Sequence, residues 1–152
     1  MTAPNAAALD EGADDKIRLL IVDDDDVVAE AVQRSVRKHG LNIPVVVAED
    51  GQEALDVLRG KAREHKLSKP HVILLDLNMP RMNGFEFLTE LRRDSALSES
   101  VVFVLTTSDS EIDKTRAHQE HVAGHMVKSS IGPQFCKLVK LLDDYREAVE
   151  LP

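Results

Sequence analysis

The chain has 152 residues, room for one domain of ordinary size. Its 27 acidic residues outnumber 19 basic ones, and a formal charge of −8 argues against a nucleic-acid-binding face. Aromatics are 3% with no Trp, so base-stacking platforms are absent, and no apolar run approaches the roughly 20 residues of a membrane span.

Residues 1–15, MTAPNAAALDEGADD, carry little apolar weight and are expected to be disordered. They lack the charged-then-apolar pattern of a secretory signal. Cys136 is the single cysteine, which excludes an internal disulfide and suits a reducing, cytoplasmic location. From Lys16 onward, short apolar runs alternate with helical stretches. The runs are Arg18–Val22, Pro44–Ala48, His71–Leu75, Val101–Leu105 and Gly124–Val127. The first four are continuously apolar, the pattern of strands buried on both faces of a parallel sheet.

The intervening segments are amphipathic. Val28, Ala31, Val32, Ser35 and Val36 make one stripe, with Gly40 as the C-terminal cap. Ala54, Leu55, Val57 and Leu58 mark a second helix, and Phe85, Phe87, Leu88 and Leu91 a third. Ile112 to His121 forms a fourth, weakly amphipathic one. Pro133 opens a fifth, with Phe135, Leu138, Val139, Leu142 and Tyr145 on its inner face. Gly60–Pro70 reads as a solvated polar loop. Five β-α units with right-handed crossovers predict an α/β, doubly wound domain.

Ligands of such sheets bind beyond the carboxyl ends of the strands. Asp23–Asp26 follow the first strand and Asp76-Leu77-Asn78 the third. Thr106-Thr107-Ser108 follow the fourth, and Lys128-Ser129 the fifth. Crowded carboxylates repel one another and require a cation, and hard oxygen donors favour Mg²⁺. A carboxylate there can act as a nucleophile toward phosphorus, while an ammonium and a hydroxyl neutralise the phosphoryl oxygens. Asp25 and Asp26 read instead as helix N-terminal carboxylates that favour the dipole.

The combination LLIVDDDD, ILLDLNMPRMNG, VLTTS and MVKS resembles the response-regulator receiver domain of two-component signalling, over about Lys16 to Asp144. The resemblance implies a flavodoxin-like fold, a five-stranded parallel sheet of order 2-1-3-4-5. It makes Asp76 the phosphoacceptor, Asp24 a direct Mg²⁺ ligand and Asp23 a ligand acting largely through water. The backbone carbonyl of Asn78 would complete the metal site. Thr106 would be the switch hydroxyl and Lys128 the phosphoryl-binding lysine. Asn83-Gly84 would make the tight turn into the third helix, and Asn78 and Ser108 would tune phosphoryl lifetime. The implied function is Mg²⁺-dependent acceptance of a phosphoryl group from a sensor histidine kinase, with output through protein contacts or phosphorelay and no turnover activity of its own.

Three positions depart from the family pattern. Ser129 stands where receivers carry a cis proline, and a cis bond to a non-proline costs about 3 kcal/mol. His125 replaces the rotating switch aromatic and would add pH sensitivity; its alternative is a solvated edge-strand residue. Thr107 is larger than the usual Ala or Gly and would slow access to the acceptor. His118, His121 and His125 read as a solvated face rather than a metal site, and Cys136 as a small packing residue.

The chain ends soon after the fifth helix, so a stand-alone receiver is expected: residues 16–144 with a C-terminal extension over 145–152. The extension and the Lys-Ser pair are similar to single-domain regulators paired with bacterial phytochrome kinases. That likeness implies a homodimer through Tyr145, Val149 and Leu151. Two rival readings exist. A phosphohydrolase with an aspartyl nucleophile needs an acid/base Asp where Asn78 stands. A scaffold with a vestigial site would not respond to Mg²⁺ or phosphate.

Overall fold

In the computed structural model of the chain, the described residues are 17–61, 71–77, 82–106, 119–128 and 133–146. Five strands form one parallel sheet: β1 (Arg18–Val22), β2 (Val45–Ala48), β3 (His71–Asp76), β4 (Val101–Thr106) and β5 (Gly124–Val127). Their order is β2-β1-β3-β4-β5, as expected. Every residue of β1 and β3 is buried, because each of these strands has a neighbour on both sides and helices over both faces. The edge strand β2 alternates between buried and half-buried residues, and β5 is nowhere fully buried.

Four helices lie among the described residues: α1 (Asp26–Lys38), α2 (Gly51–Leu58), α3 (Gly84–Arg93) and α4 (Pro133–Arg146). The predicted fourth helix and the Gly60–Pro70 loop fall almost wholly outside them. On one face of the sheet, Leu20, Val22, Ile73, Leu75, Val102 and Val104 pack against α2 and α3 through Leu55, Phe87 and Leu91. On the other, Leu19, Ile21, Leu74 and Leu105 pack against α1 and α4 through Val32, Val36, Phe135 and Val139.

Local chemistry sets the helix ends. Asp25 caps α1 by accepting from the Val27 N–H at 2.9 Å, so its expected N-terminal role holds. Asn83 and Glu86 form a reciprocal capping box on α3. Gly40, at φ +68°, ends α1. Its N–H donates to Arg37 O and that of Leu41 to Val36 O, a closure that needs the left-handed conformation.

Two helix faces differ from expectation. The buried stripe of α1 holds Ala29 in place of Ala31, because the helix lies slightly rotated on the sheet. Among the described side chains of α4 only Phe135, Cys136 and Val139 are buried, whereas Tyr145 is 53% exposed, as is Leu141 at 64%. Leu138 and Leu142 are half-buried, and Tyr145 does not belong to the inner face expected for it. Cys136 packs as expected and its thiol donates to Ser35 O. His121 takes φ +58° in a turn and His125 lies on β5, so the two do not share a helix face.

Candidate functional site at the carboxyl ends of the strands

Strands β1 and β3 end side by side, with β5 one strand beyond β4, and together they deliver Asp23, Asp76 and Lys128 to one place. Asp76 is the last residue of β3 and is 2% exposed. Asp23 follows β1 and continues its ladder by donating its N–H to Ala48 O at 3.0 Å; its side chain is buried. Asp24 is exposed at the rim. One oxygen from each of these three carboxylates lies within 4.8 Å of the others. The Lys128 ammonium donates to Asp76 Oδ2 at 3.2 Å and stands 3.5 Å from Asp23 Oδ2.

The electrostatics follow from this crowding. Asp23 Oδ1 accepts the Asp25 N–H at 2.8 Å, but its buried Oδ2 accepts no hydrogen bond among the described residues, the Lys128 ammonium standing 3.5 Å away. Burial, with the Asp76 carboxylate as a second cause, pushes the Asp23 carboxyl up to about 6; the Asp25 N–H and Lys128 only partly offset this. Burial pulls Lys128 down, yet Asp76 and Asp23 outweigh it and hold the ammonium above its ordinary value. Three hard oxygen donors, one of them a buried carboxylate oxygen lacking a donor, fit a divalent cation of the Mg²⁺ class.

The segment after Asp76 is seated by close contacts at its described ends. Gly84 donates its N–H to Leu77 O, and a Cβ at Gly84 would stand 2.5 Å from Leu77 Cα and 2.6 Å from Asp76 O. The glycine of the expected Asn83-Gly84 turn is therefore required by contact with the end of β3. Among the expected site residues, the structure brings Asp23, Asp24, Asp76 and Lys128 together. His125 is half-buried on β5, in register with Val104 and three residues from Lys128. The backbone of Thr106 closes β4, but its side chain lies outside the described residues. So do Asn78, Ser108, Ser129, Val149 and Leu151.

One residue at the opposite end of the sheet carries no sequence signal. The Arg92 guanidinium donates to four backbone carbonyls: Glu120, Ser98, Ser100 and His121, at 2.8, 2.9, 2.8 and 3.0 Å. It thereby joins the end of α3 to the segments that lead into β4 and β5. In sequence Arg92 is indistinguishable from Arg93, both being basic residues in a last helical turn.

The family model for the response regulator receiver domain matches residues 19–140. The chain belongs to this family. The receiver is 30% identical to response regulator Rcp1 of Synechocystis, over 88% of this chain and 92% of that protein. A two-component response regulator from Legionella pneumophila superposes with a TM-score of 0.76 at 34% identity, covering 86% of this receiver and 99% of that chain. The phosphorylated cyanobacterial phytochrome response regulator RcpA superposes with a TM-score of 0.74 at 31% identity, covering 91% and 99%. The Mn²⁺-bound form of Rcp1 shows a divalent ion on a receiver of this kind. This receiver is a phosphoacceptor signalling protein, and receivers take the phosphoryl group from histidine kinases with Mg²⁺ or Mn²⁺ at the acidic pocket. No helix among its described residues is long and apolar enough to cross a membrane.

Proposed function

We propose that Asp76 is the phosphoacceptor, with Asp23, Asp24, Asp76 and the Asn78 backbone carbonyl holding Mg²⁺. The observation that carries this is the convergence of three carboxylates within 4.8 Å, two of them buried, under the ammonium of Lys128. The divalent ion, when bound, shields the phosphoryl oxygens from the carboxylates. The chain's residues do the rest. The Asp76 carboxylate attacks phosphorus as the bond from phosphorus to the donor atom breaks, giving an acyl phosphate. Lys128, already 3.2 Å from Asp76, meets the transferred negative charge. Thr106 donates its hydroxyl to a phosphoryl oxygen, and its movement and that of His125 carry the change outward. Asn78 and Ser108, two residues beyond acceptor and switch, set the lifetime of the acyl phosphate.

The protein acts as a signalling component without turnover chemistry, in the cytoplasm, on a receiver domain over residues 16–144. A sensor histidine kinase of the phytochrome class is the favoured donor, supported by the likeness to RcpA. A net charge of −8 disfavours nucleic acid as a partner. A homodimer through the C-terminal region is supported by Leu141 and Tyr145, exposed four residues apart on α4, with Val149 and Leu151 following. Acetyl phosphate with Mg²⁺, read by intact mass, tests the acceptor. The wild type gains one phosphoryl mass, while Asp76→Asn and a chelated sample gain none. A phosphorylated Asp76→Asn overturns the assignment. Sedimentation of wild type against Tyr145→Asp tests the dimer.

A further inference from the structure

Asp25 does more than cap α1. Its side chain accepts the Val27 N–H at 2.9 Å, and its own N–H donates to Asp23 Oδ1 at 2.8 Å. Two turns of one kind therefore follow each other. The carboxylate of residue 23 holds the amide of residue 25, and the carboxylate of residue 25 holds the amide of residue 27. The Asp25 carbonyl is engaged too, accepting from Val28 at 3.1 Å and from Ala29 at 3.4 Å. Val28 and Ala29 are buried in the core that α1 shares with the sheet. A packed helix thus fixes the backbone of Asp25 and aims its N–H.

That aim decides how Asp23 presents its carboxylate. Asp23 is 1% exposed, and its backbone is tied to β2 through Ala48 O. The terminal torsion of an aspartate is intrinsically broad, so the side chain alone does not choose which oxygen faces the pocket. The Asp25 N–H chooses. It holds Oδ1, and Oδ2 is left buried, accepting no hydrogen bond among the described residues, 3.5 Å from the Lys128 ammonium. Oδ2 is thereby the oxygen that Asp23 offers to the group formed with Asp24 and Asp76.

We propose that Asp25 is a positioning residue for the divalent ion: by clamping the first turn of α1 it directs its own N–H to Asp23 Oδ1 and keeps Asp23 Oδ2 turned toward the metal. The inference rests on the assignment of Asp23 as a metal ligand above. What the clamp needs from Asp25 is a short side chain with an acceptor oxygen, because its exposed carboxylate is spent on the Val27 N–H. The negative charge is dispensable. Losing a group that orients a metal ligand costs about tenfold or more in metal affinity.

The test compares wild type with Asp25→Gly, Asp25→Asn, Asp26→Asn and Asp23→Ala. It measures Mn²⁺ affinity without donor by electron paramagnetic resonance, the Mg²⁺ concentration for half-maximal phosphorylation by acetyl phosphate, and the urea midpoint. Glycine is tolerated at a helix cap but has no acceptor, whereas Asn supplies the acceptor without the charge. In Asp25→Gly, Mn²⁺ affinity is expected to fall about tenfold and half-saturating Mg²⁺ to rise in parallel. Asp25→Asn is expected to stay within about threefold of wild type, as is Asp26→Asn, which removes an exposed charge from the same helical turn. Equal losses in Asp25→Gly and Asp25→Asn would make the charge the cause and overturn the proposal. Wild-type affinity in Asp25→Gly with a lowered urea midpoint marks a cap that is purely architectural, and overturns it too. Should Asp25→Gly fail to fold, hydrogen exchange of the Mg²⁺-bound wild type decides: the Asp25 amide is expected to be protected, and an unprotected amide overturns the proposal. Asp23→Ala that binds Mn²⁺ as tightly as wild type would instead refute Asp23 as a ligand, and the proposal with it.

Discussion

Replacing Asp23 with Asn should make the metal-free protein more stable at neutral pH. The folded structure holds this carboxyl buried, beside the Asp76 carboxylate, and raises it from 3.8 to about 6. A group whose folded pKa exceeds its unfolded value favours folding only while protonated. Its penalty is therefore absent below about pH 4, grows between pH 4 and 6, and is complete above 6. About two pKa units correspond to a ceiling of about 3 kcal/mol. Asn keeps the Oδ1 acceptor for the Asp25 N–H and removes the buried charge beside Asp76, but turns its amide N–H₂ toward the Lys128 ammonium where Oδ2 stood. Burial of the amide reduces the gain to about 2 kcal/mol, which at this chain length raises Tm by roughly 4–8 °C. The assay is thermal unfolding in EDTA at pH 7.5 and pH 4, with and without Mg²⁺. Asp23→Asn should melt above wild type at pH 7.5, match it at pH 4, and lose most of the stabilisation that Mg²⁺ gives wild type. A lower Tm at pH 7.5, or a gain equal at both pH values, would refute the electrostatic reasoning.

Arg92→Ala removes a charged donor from four carbonyls at once; a loss of about 2–4 kcal/mol is expected from urea unfolding, and a loss within error of zero would mean that water replaces the guanidinium freely. Gly84→Ala places a methyl group within 2.6 Å of the Asp76 carbonyl oxygen. It should destabilise by about 2 kcal/mol or more and slow phosphorylation even in the folded fraction. His125→Phe should flatten the pH dependence of the phosphorylation response between about pH 6 and 8. Equal profiles in wild type and variant would remove the pH role.

Much of this architecture was legible because apolar runs and turn chemistry report burial directly. Continuous apolarity marked the first four runs as buried on both faces; β1 and β3 are buried throughout, whereas β2, at the sheet edge, and β4 keep half-buried residues. Asp76 and Lys128 stood out because a charge closing an apolar run sits at a strand end. Helix orientation was less legible. Ala29 and Ala31 are identical in type, so only packing decides which faces the sheet, and Tyr145 fits the apolar spacing of a stripe yet stands exposed. Arg92 joins residues far apart in the chain. Neither motif nor periodicity encodes such pairings.

The Arg92 cage gives the right half of the sheet a pivot. Four carbonyls in the segments that lead into β4 and β5 are gathered on one guanidinium, while Lys128 follows the other end of β5. A four-residue strand such as β5 is about 13 Å long, so a tilt of roughly 5° about its anchored start carries its tip by about 1 Å. A small rotation about such an anchored end would thus reach Lys128 as a shift large enough to change its 3.2 Å contact with Asp76.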